Sequence, residues 1–215
     1  MRKLVLFTFL LFGFVVGAFA QIKLGLKFSP SFTSSRINLI SDTLDIENAS
    51  TNTKFSLGLV MDSPLTDTYF FSTGLFYVPR RFSLNIIGEN GGSFKNPREA
   101  YDLQYLQVPL TLKLFTNEIM PDMSMYFQVG ATAEFLIYHG PVQEEYTLIN
   151  ELKGIDSSVI FGGGMEYQAG LNTVIFGGIS YQRGLINIVK TTEPALADGF
   201  AIRTSALMVD IGLKF

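Results

Sequence analysis

Eight stretches of alternating apolar and polar residues, connections that run long and short in turn, and high apolarity without a helix-length run after residue 20 together predict one fold class. It is all-β: an eight-stranded antiparallel up-and-down transmembrane β-barrel. Charged residues make up 16% of the chain against a usual figure of about 25%, aromatics reach 13%, and mean hydropathy is positive. In lipid every backbone amide and carbonyl needs an internal partner, so without a spanning helix only a closed barrel remains.

The first 20 residues stand apart. Arg2 and Lys3 precede an apolar run from Leu4 to Val16, and Ala18-Phe19-Ala20 follows ahead of Gln21. A basic start, a short apolar core and small residues at the cut describe a secretory signal peptide, with cleavage expected after Ala20. The alternative, a membrane anchor, needs about 20 apolar residues, and this run is shorter. The mature domain is therefore expected to span 21–215. Losing Arg2 and Lys3 moves the balance from 16 basic and 19 acidic residues to 14 and 19, a net charge of −5. A mildly acidic chain without a basic stripe is not expected to bind nucleic acid. The absence of cysteine excludes a disulfide framework and a thiolate metal site.

Strands are expected over 22–34, 53–62, 68–82, 101–115, 123–138, 158–168, 172–186 and 202–215. In the first, Ile22, Leu24, Leu26 and Phe28 share one parity and Lys23 and Lys27 the other. The same division sends Asp62, Arg80, Lys113, Glu134, Glu166, Asp210 and Lys214 to the polar face of their strands. In the last, Val209, Ile211, Leu213 and the terminal Phe215 form a continuous apolar face. That strand resembles the closing strand of bacterial outer-membrane barrels, which end in an aromatic residue. The connections 63–67, 116–122 and 169–171 are short, whereas 35–52, 83–100, 139–157 and 187–201 are long. Tight periplasmic turns, long outer loops and both termini on the periplasmic side produce this rhythm; a sandwich has no reason to.

A lipocalin-type barrel also alternates, but with its apolar set inward. Here the polar set is mostly Gly, Ser, Thr and Gln, which suits a narrow lumen better than a water-facing surface. Arg81, Arg183 and Arg203 take the apolar parity, but at outer strand ends where a guanidinium reaches headgroups. Two aromatic girdles are expected: Tyr69, Phe71, Phe127, Tyr167 and Phe215 at the periplasmic level, and Phe32, Phe55, Tyr77, Phe135 and Tyr181 at the outer one. Eight strands leave room inside for little but side chains. Lys23, Lys27, Arg80, Lys113 and Lys214 are expected to pair with Asp62, Glu134, Glu166 and Asp210 as a plug, and no wide channel is expected.

Pro109 interrupts the fourth strand, Tyr105-Leu106-Gln107-Val108-Pro109-Leu110-Thr111-Leu112-Lys113, and a bulge is the local expectation. With Gly74-Leu75-Phe76-Tyr77, the signal peptide and the terminal Phe, this run resembles the PorT-type outer-membrane β-barrel family of Bacteroidetes (outer membrane protein beta-barrel domain) from Gln21 onward. Gln107 stands where that family usually carries an acid, so no role that needs a charge there transfers. The resemblance implies the fold and the outer membrane of a Gram-negative cell. It implies little about activity, since the name-giving role in protein secretion belongs to a minority of members.

Chemistry-bearing motifs are sparse. His139 is the single histidine, with Ser157 and Ser158 across the third loop, a pattern that lipid-modifying barrel enzymes use; the expectation is no enzyme. Asp42, Asp45 and Glu47 match no calcium loop and read as a solvated edge, as do Glu144, Glu145, Tyr146 and Glu151. A bridging cation to lipopolysaccharide is the alternative for such acids. Glu89-Asn90-Gly91-Gly92 suggests a hairpin tip carrying its strands beyond the membrane. Gly162-Gly163-Gly164 sits inside a strand and is no phosphate loop; Asn48-Ala49-Ser50 has no meaning as a glycosylation site in a bacterial chain. No catalytic, cofactor-binding or metal residue is expected, and no cofactor. The expected role is a structural or interaction module displaying four loops. Expected partners are outer-membrane lipids, other outer-membrane or secretion-system proteins, and the barrel assembly machinery through the C-terminal strand. An accessory subunit of a secretion or transport system is the second reading; a soluble lipocalin-like binder is the fold alternative.

Overall fold

The computed structural model describes residues 22–39, 44–48, 52–88, 98–143, 149–192 and 200–215. Its strands are β1 (Lys23–Leu39), β2 (Leu44–Asn48), β3 (Asn52–Pro64), β4 (Tyr69–Gly88), β5 (Arg98–Met120), β6 (Met123–Pro141), β7 (Ile149–Leu152), β8 (Ile155–Gln168), β9 (Val174–Gly184), β10 (Val189–Thr192) and β11 (Phe200–Lys214). Eight of them pair antiparallel in the ring β1, β3, β4, β5, β6, β8, β9, β11, and β11 returns to β1, so the barrel itself has no free edge. The last residue completes the seam: the Phe215 amide donates to the Leu24 carbonyl at 2.7 Å, and the Leu24 amide donates back at 3.2 Å.

The short connections are tight turns. Between β3 and β4 the Thr66 hydroxyl accepts from the amides of Thr68 and Tyr69 at 3.3 and 3.0 Å. Pro121-Asp122 alone joins β5 to β6, so the expected connection 116–122 shrinks to two residues. Asp122 takes φ 61°, a left-handed value that aspartate tolerates. At the other end the strands are longer than the alternation predicts. β4 and β5 run on as a hairpin through Asn85↔Arg98, as an outer tip requires, and β2 adds along β4 at Leu44↔Gly88 to Asn48↔Leu84. β7 and β10 form a separate two-stranded sheet. All three short strands lie in connections that the pattern reads as loops, because four or five residues show no usable period.

The bulge expected at Pro109 is not there. Pro109 lies opposite Thr132 of β6, and toward β4 the register is the same on both sides of it, Thr73↔Leu110 and Phe76↔Gln107. A missing N–H removes one ladder bond without displacing a residue. The register shifts of β5 against β6 fall instead at Gln104/Tyr105 and beyond Phe115. Facing Pro109 is Gly74, where a Cβ would come within 2.1 Å of the Leu59 carbonyl of β3.

The faces are those of a barrel in lipid. Leu24, Leu26, Phe28, Leu57, Leu59, Leu75, Leu110, Leu112, Val129, Ile179, Ile211 and Leu213 are exposed, while Asp62, Arg80, Lys113, Glu134, Glu166, Asp210 and Lys214 are buried. Leu24 to Phe32 on β1 spans roughly 20 Å of height at the usual strand rise and barrel tilt, close to the apolar band of about 25 Å expected in an outer membrane. Tyr69, Phe71, Phe127, Tyr167 and Phe215 are exposed and lie near the short-turn ends of their strands. Phe32, Phe55, Tyr77 and Phe135 are exposed at the outer level. Tyr181 departs from the expected girdle: it is half-buried, its ring 5.3 Å from Phe161.

Above that level the strands reverse their polarity without changing parity. On β5, Gln107, Thr111 and Lys113 face the lumen in the lower half, but Tyr101, Leu103 and Tyr105 on the same face are buried apolar residues above. On β4, Phe82 and Leu84 do likewise. Past the headgroups both surroundings of the wall are aqueous, so the hydrophobic effect again favours an apolar inside.

Candidate functional site

The lumen was expected to be plugged by paired charges, and it is. Near the short-turn end the Asp62 carboxylate of β3 accepts two hydrogen bonds from Lys113 of β5 at 3.1 and 2.9 Å, and one from Lys214 of β11; Lys214 also pairs with Glu166 of β8. One step higher, Asp210 of β11 accepts from Ser29 and Ser180, each at 2.6 Å, and pairs with Lys27 at 3.3 Å. Above it Arg80 of β4 grips both oxygens of Glu134 of β6 at 2.6 and 2.9 Å and donates further to Gln182 and Thr204 at 2.8 and 3.1 Å. Glu134 also accepts from Gln107, Thr132 and Ser158.

The charges come from seven strands, each carrying its inward charge at its own height, and the eighth, β9, adds the neutral partners Ser180 and Gln182. The cations are further held by ring faces: Lys27 over Phe76 at 4.7 Å, Arg80 over Tyr105 at 5.4 Å, Lys113 over Tyr126 at 5.2 Å and Lys214 over Phe176 at 5.0 Å. Such a filled section leaves little open space. A cavity of about 280 Å³ enters from the short-turn end, with Asp62, Glu166 and Lys214 at its inner wall, whereas beside Lys27 and Asp210 a pocket of only about 20 Å³ remains, the scale of one water.

Two features escape the sequence pattern. Asp156 is fully buried, 3.8 Å from Arg80, and belongs to the plug. Starting the sixth strand at 158 places it in a loop, although its parity matches that of Glu166. The second is an apolar cap over the charges, built from Phe82, Leu84, Leu103, Tyr105, Ile188 and Ile202, against which Ile149 and Leu152 of β7 pack. The small polar residues expected to line the lumen, such as Ser29, Ser72, Thr111 and Ser180, do so in its lower half beside the rings of Phe76, Tyr126 and Phe176, whereas the cap above is apolar. Lys23, expected in the plug, stands at the short-turn mouth without an ion pair among the described residues.

His139 and the serines are not brought together. His139 is exposed on β6 opposite Leu103, Ser157 lies opposite Ala133, and six residues of strand, roughly 20 Å, separate the two levels. Ser158 turns inward to Glu134. Glu151 of β7 pairs with Lys190 of β10 at 2.7 Å, which holds its carboxyl below its usual range. Asp45 and Glu47 fall on β2. The signal peptide 1–20, Asp42, Ala49-Ser50, Glu89-Asn90-Gly91-Gly92 and Glu144-Glu145-Tyr146 lie outside the described residues. No group of three or more metal-ligating side chains occurs among the described residues.

Comparison with known proteins agrees with this architecture. A family model described as outer membrane protein beta-barrel domain matches residues 19–190. Among solved structures the chain is similar to the outer membrane protein OprG from Pseudomonas aeruginosa, with 13% identity over 90% of this chain and 95% of that one and a TM-score of 0.54. A weaker likeness, with 9% identity over 89% and 97% and a TM-score of 0.46, is to Neisserial surface protein A. At such identities the likeness is one of fold. No curated protein matches the sequence.

Proposed function

The chain belongs to the outer membrane protein beta-barrel domain family and sits in the outer membrane; from that premise we propose that it is a structural or interaction module, closed to solutes and working through its outer surface. The observation that carries this reading is the filled lumen. Three tiers of ion pairs and an apolar cap occupy the interior, so passage of even a small solute would require breaking buried charge pairs at several kcal/mol each. What remains for function is the outside: the lipid-facing belt, and the extended β4–β5 hairpin with the sheet of β7 and β10.

The finer assignment we propose is a PorT-type barrel of Bacteroidetes, on the Tyr105-to-Lys113 strand and Gly74-Leu75-Phe76-Tyr77. The chain is no enzyme in this reading, since neither Ser157 nor Ser158 stands near its one histidine. Its partners are outer-membrane lipids, other outer-membrane or secretion-system proteins on the outer side, and the barrel assembly machinery through β11. A role as accessory subunit of a secretion or transport system is the second reading, favoured by the hairpin that projects beyond the band. Crosslinking in intact cells followed by detergent pulldown separates the two: recovery of a stoichiometric large complex supports the accessory role, and the chain alone supports the module. A sustained ion current through the reconstituted barrel would overturn both.

A further inference from the structure

Among the described residues Arg36, Arg81, Arg183 and Arg203 face outward near the outer girdle, with Arg98 further up β5, and Arg81 differs from the other three near the girdle. Arg81 holds Asp102 with two hydrogen bonds at 2.7 and 2.6 Å. Arg36 of β1, Arg203 of β11 and Arg183 of β9 have no carboxylate partner among the described residues. Registers place them together: Arg36 lies directly opposite Arg203, and Ser205, two residues further along the same face, lies opposite both Ser34 and Arg183. They are thus cross-strand and diagonal neighbours, at separations where side chains interact and like charges repel. Their height is that of phosphates: Arg36 is four residues past Phe32, and Arg183 two past Tyr181.

Among the described residues the patch is also short of acceptors. The Nε atoms of Arg36 and Arg203 and the Oγ of Ser205 are buried without hydrogen-bond partners, and the one bond Arg36 makes is from Nη2 to the Gly184 carbonyl at 3.0 Å. Below it Phe32 and Leu207 are exposed and present apolar surface for acyl chains. We propose that Arg36, Arg183 and Arg203 form a binding site on the outward face of β1, β11 and β9 for the phosphate of an anionic outer-leaflet lipid. A phosphate accepts from the guanidinium groups in the bidentate geometry they favour, and removes the repulsion between Arg36 and Arg203. The acyl chains of the same lipid lie along the belt beneath.

The test uses the full mature chain folded in zwitterionic detergent, with bis-phosphorylated lipid A, its enzymatically dephosphorylated form and inorganic phosphate as probes. Lipid A is expected to bind at least about tenfold more tightly than its dephosphorylated form, and Arg36→Gln/Arg203→Gln to lose about tenfold in affinity, while Arg81→Gln binds like the parent. Lipid-free melting of the double variant is expected to be no lower than the parent's, because like charges are removed, whereas its stabilisation by lipid A disappears. Arg183→Gln, at an exposed position, gives a smaller loss in the same direction and serves if the double variant does not fold. Equal binding of both lipid forms, or a folded double variant with parental affinity, would overturn the site. Displacement of lipid A by millimolar inorganic phosphate would overturn the lipid as occupant in favour of the free anion.

Discussion

Replacing Glu134 by leucine tests whether the tier of charges around Arg80 holds the barrel shut or merely fills it. Glu134 is fully buried and takes both guanidinium bonds of Arg80 besides those from Gln107, Thr132 and Ser158. Removing one partner of a buried pair costs about 3–5 kcal/mol, because the other charge is left in low dielectric. Asp156, at 3.8 Å, and the acceptors Gln182 and Thr204 recover part of this, so a loss of about 3 kcal/mol is expected for Glu134→Leu. In an Asp156→Asn background Arg80→Leu/Glu134→Leu, which leaves this tier uncharged, is expected to be more stable than Glu134→Leu. Urea titration of the barrel refolded into short-chain phosphatidylcholine vesicles, read by the gel mobility of folded and unfolded forms, measures both. A Glu134→Leu barrel with the parental midpoint, or single losses that simply add in the double variant, would refute the coupling.

The orientation of the wall is checked by single spin labels in this cysteine-free chain. A label at Leu110→Cys is expected to collide with lipid-dissolved oxygen and one at the adjacent Thr111→Cys to be shielded, since the first residue is half-exposed and the second buried; the reverse result would mean an apolar interior. Deletion of Phe215 removes both backbone bonds to Leu24 and is expected to cost about 1–3 kcal/mol in the same titration, with a smaller folded fraction in the outer membrane of living cells. An unchanged folded fraction and midpoint would show that the seam closes without it.

Alternation, connection lengths and the placement of charges were sufficient to determine this barrel from the sequence. Leu24, Leu26 and Phe28 against Lys23 and Lys27, or Leu110 and Leu112 against Thr111 and Lys113, already state which face meets lipid, because a period of two assigns every side chain of a strand once one face is known. The plug was legible for the same reason: inward charges of both signs in a lumen too narrow for a water-filled channel must meet one another. Asp156 and Arg36 were lost to strand ends drawn two residues short, an error of boundary and not of parity.

Other features depend on which strands become neighbours, and that is a property of the closed ring. Nothing local says that Arg80 meets Glu134, 54 positions away, or that Arg36, Arg183 and Arg203 stand side by side. The sequence determined the inward and outward faces because hydrophobic burial acts on each residue separately. The tertiary structure alone decided the partners, because register and strand tilt set the height of each charge. It also decided where the wall leaves the membrane, which shows only as the apolar set passing from Leu106 and its outward neighbours to Tyr105, Leu103 and Tyr101 inside.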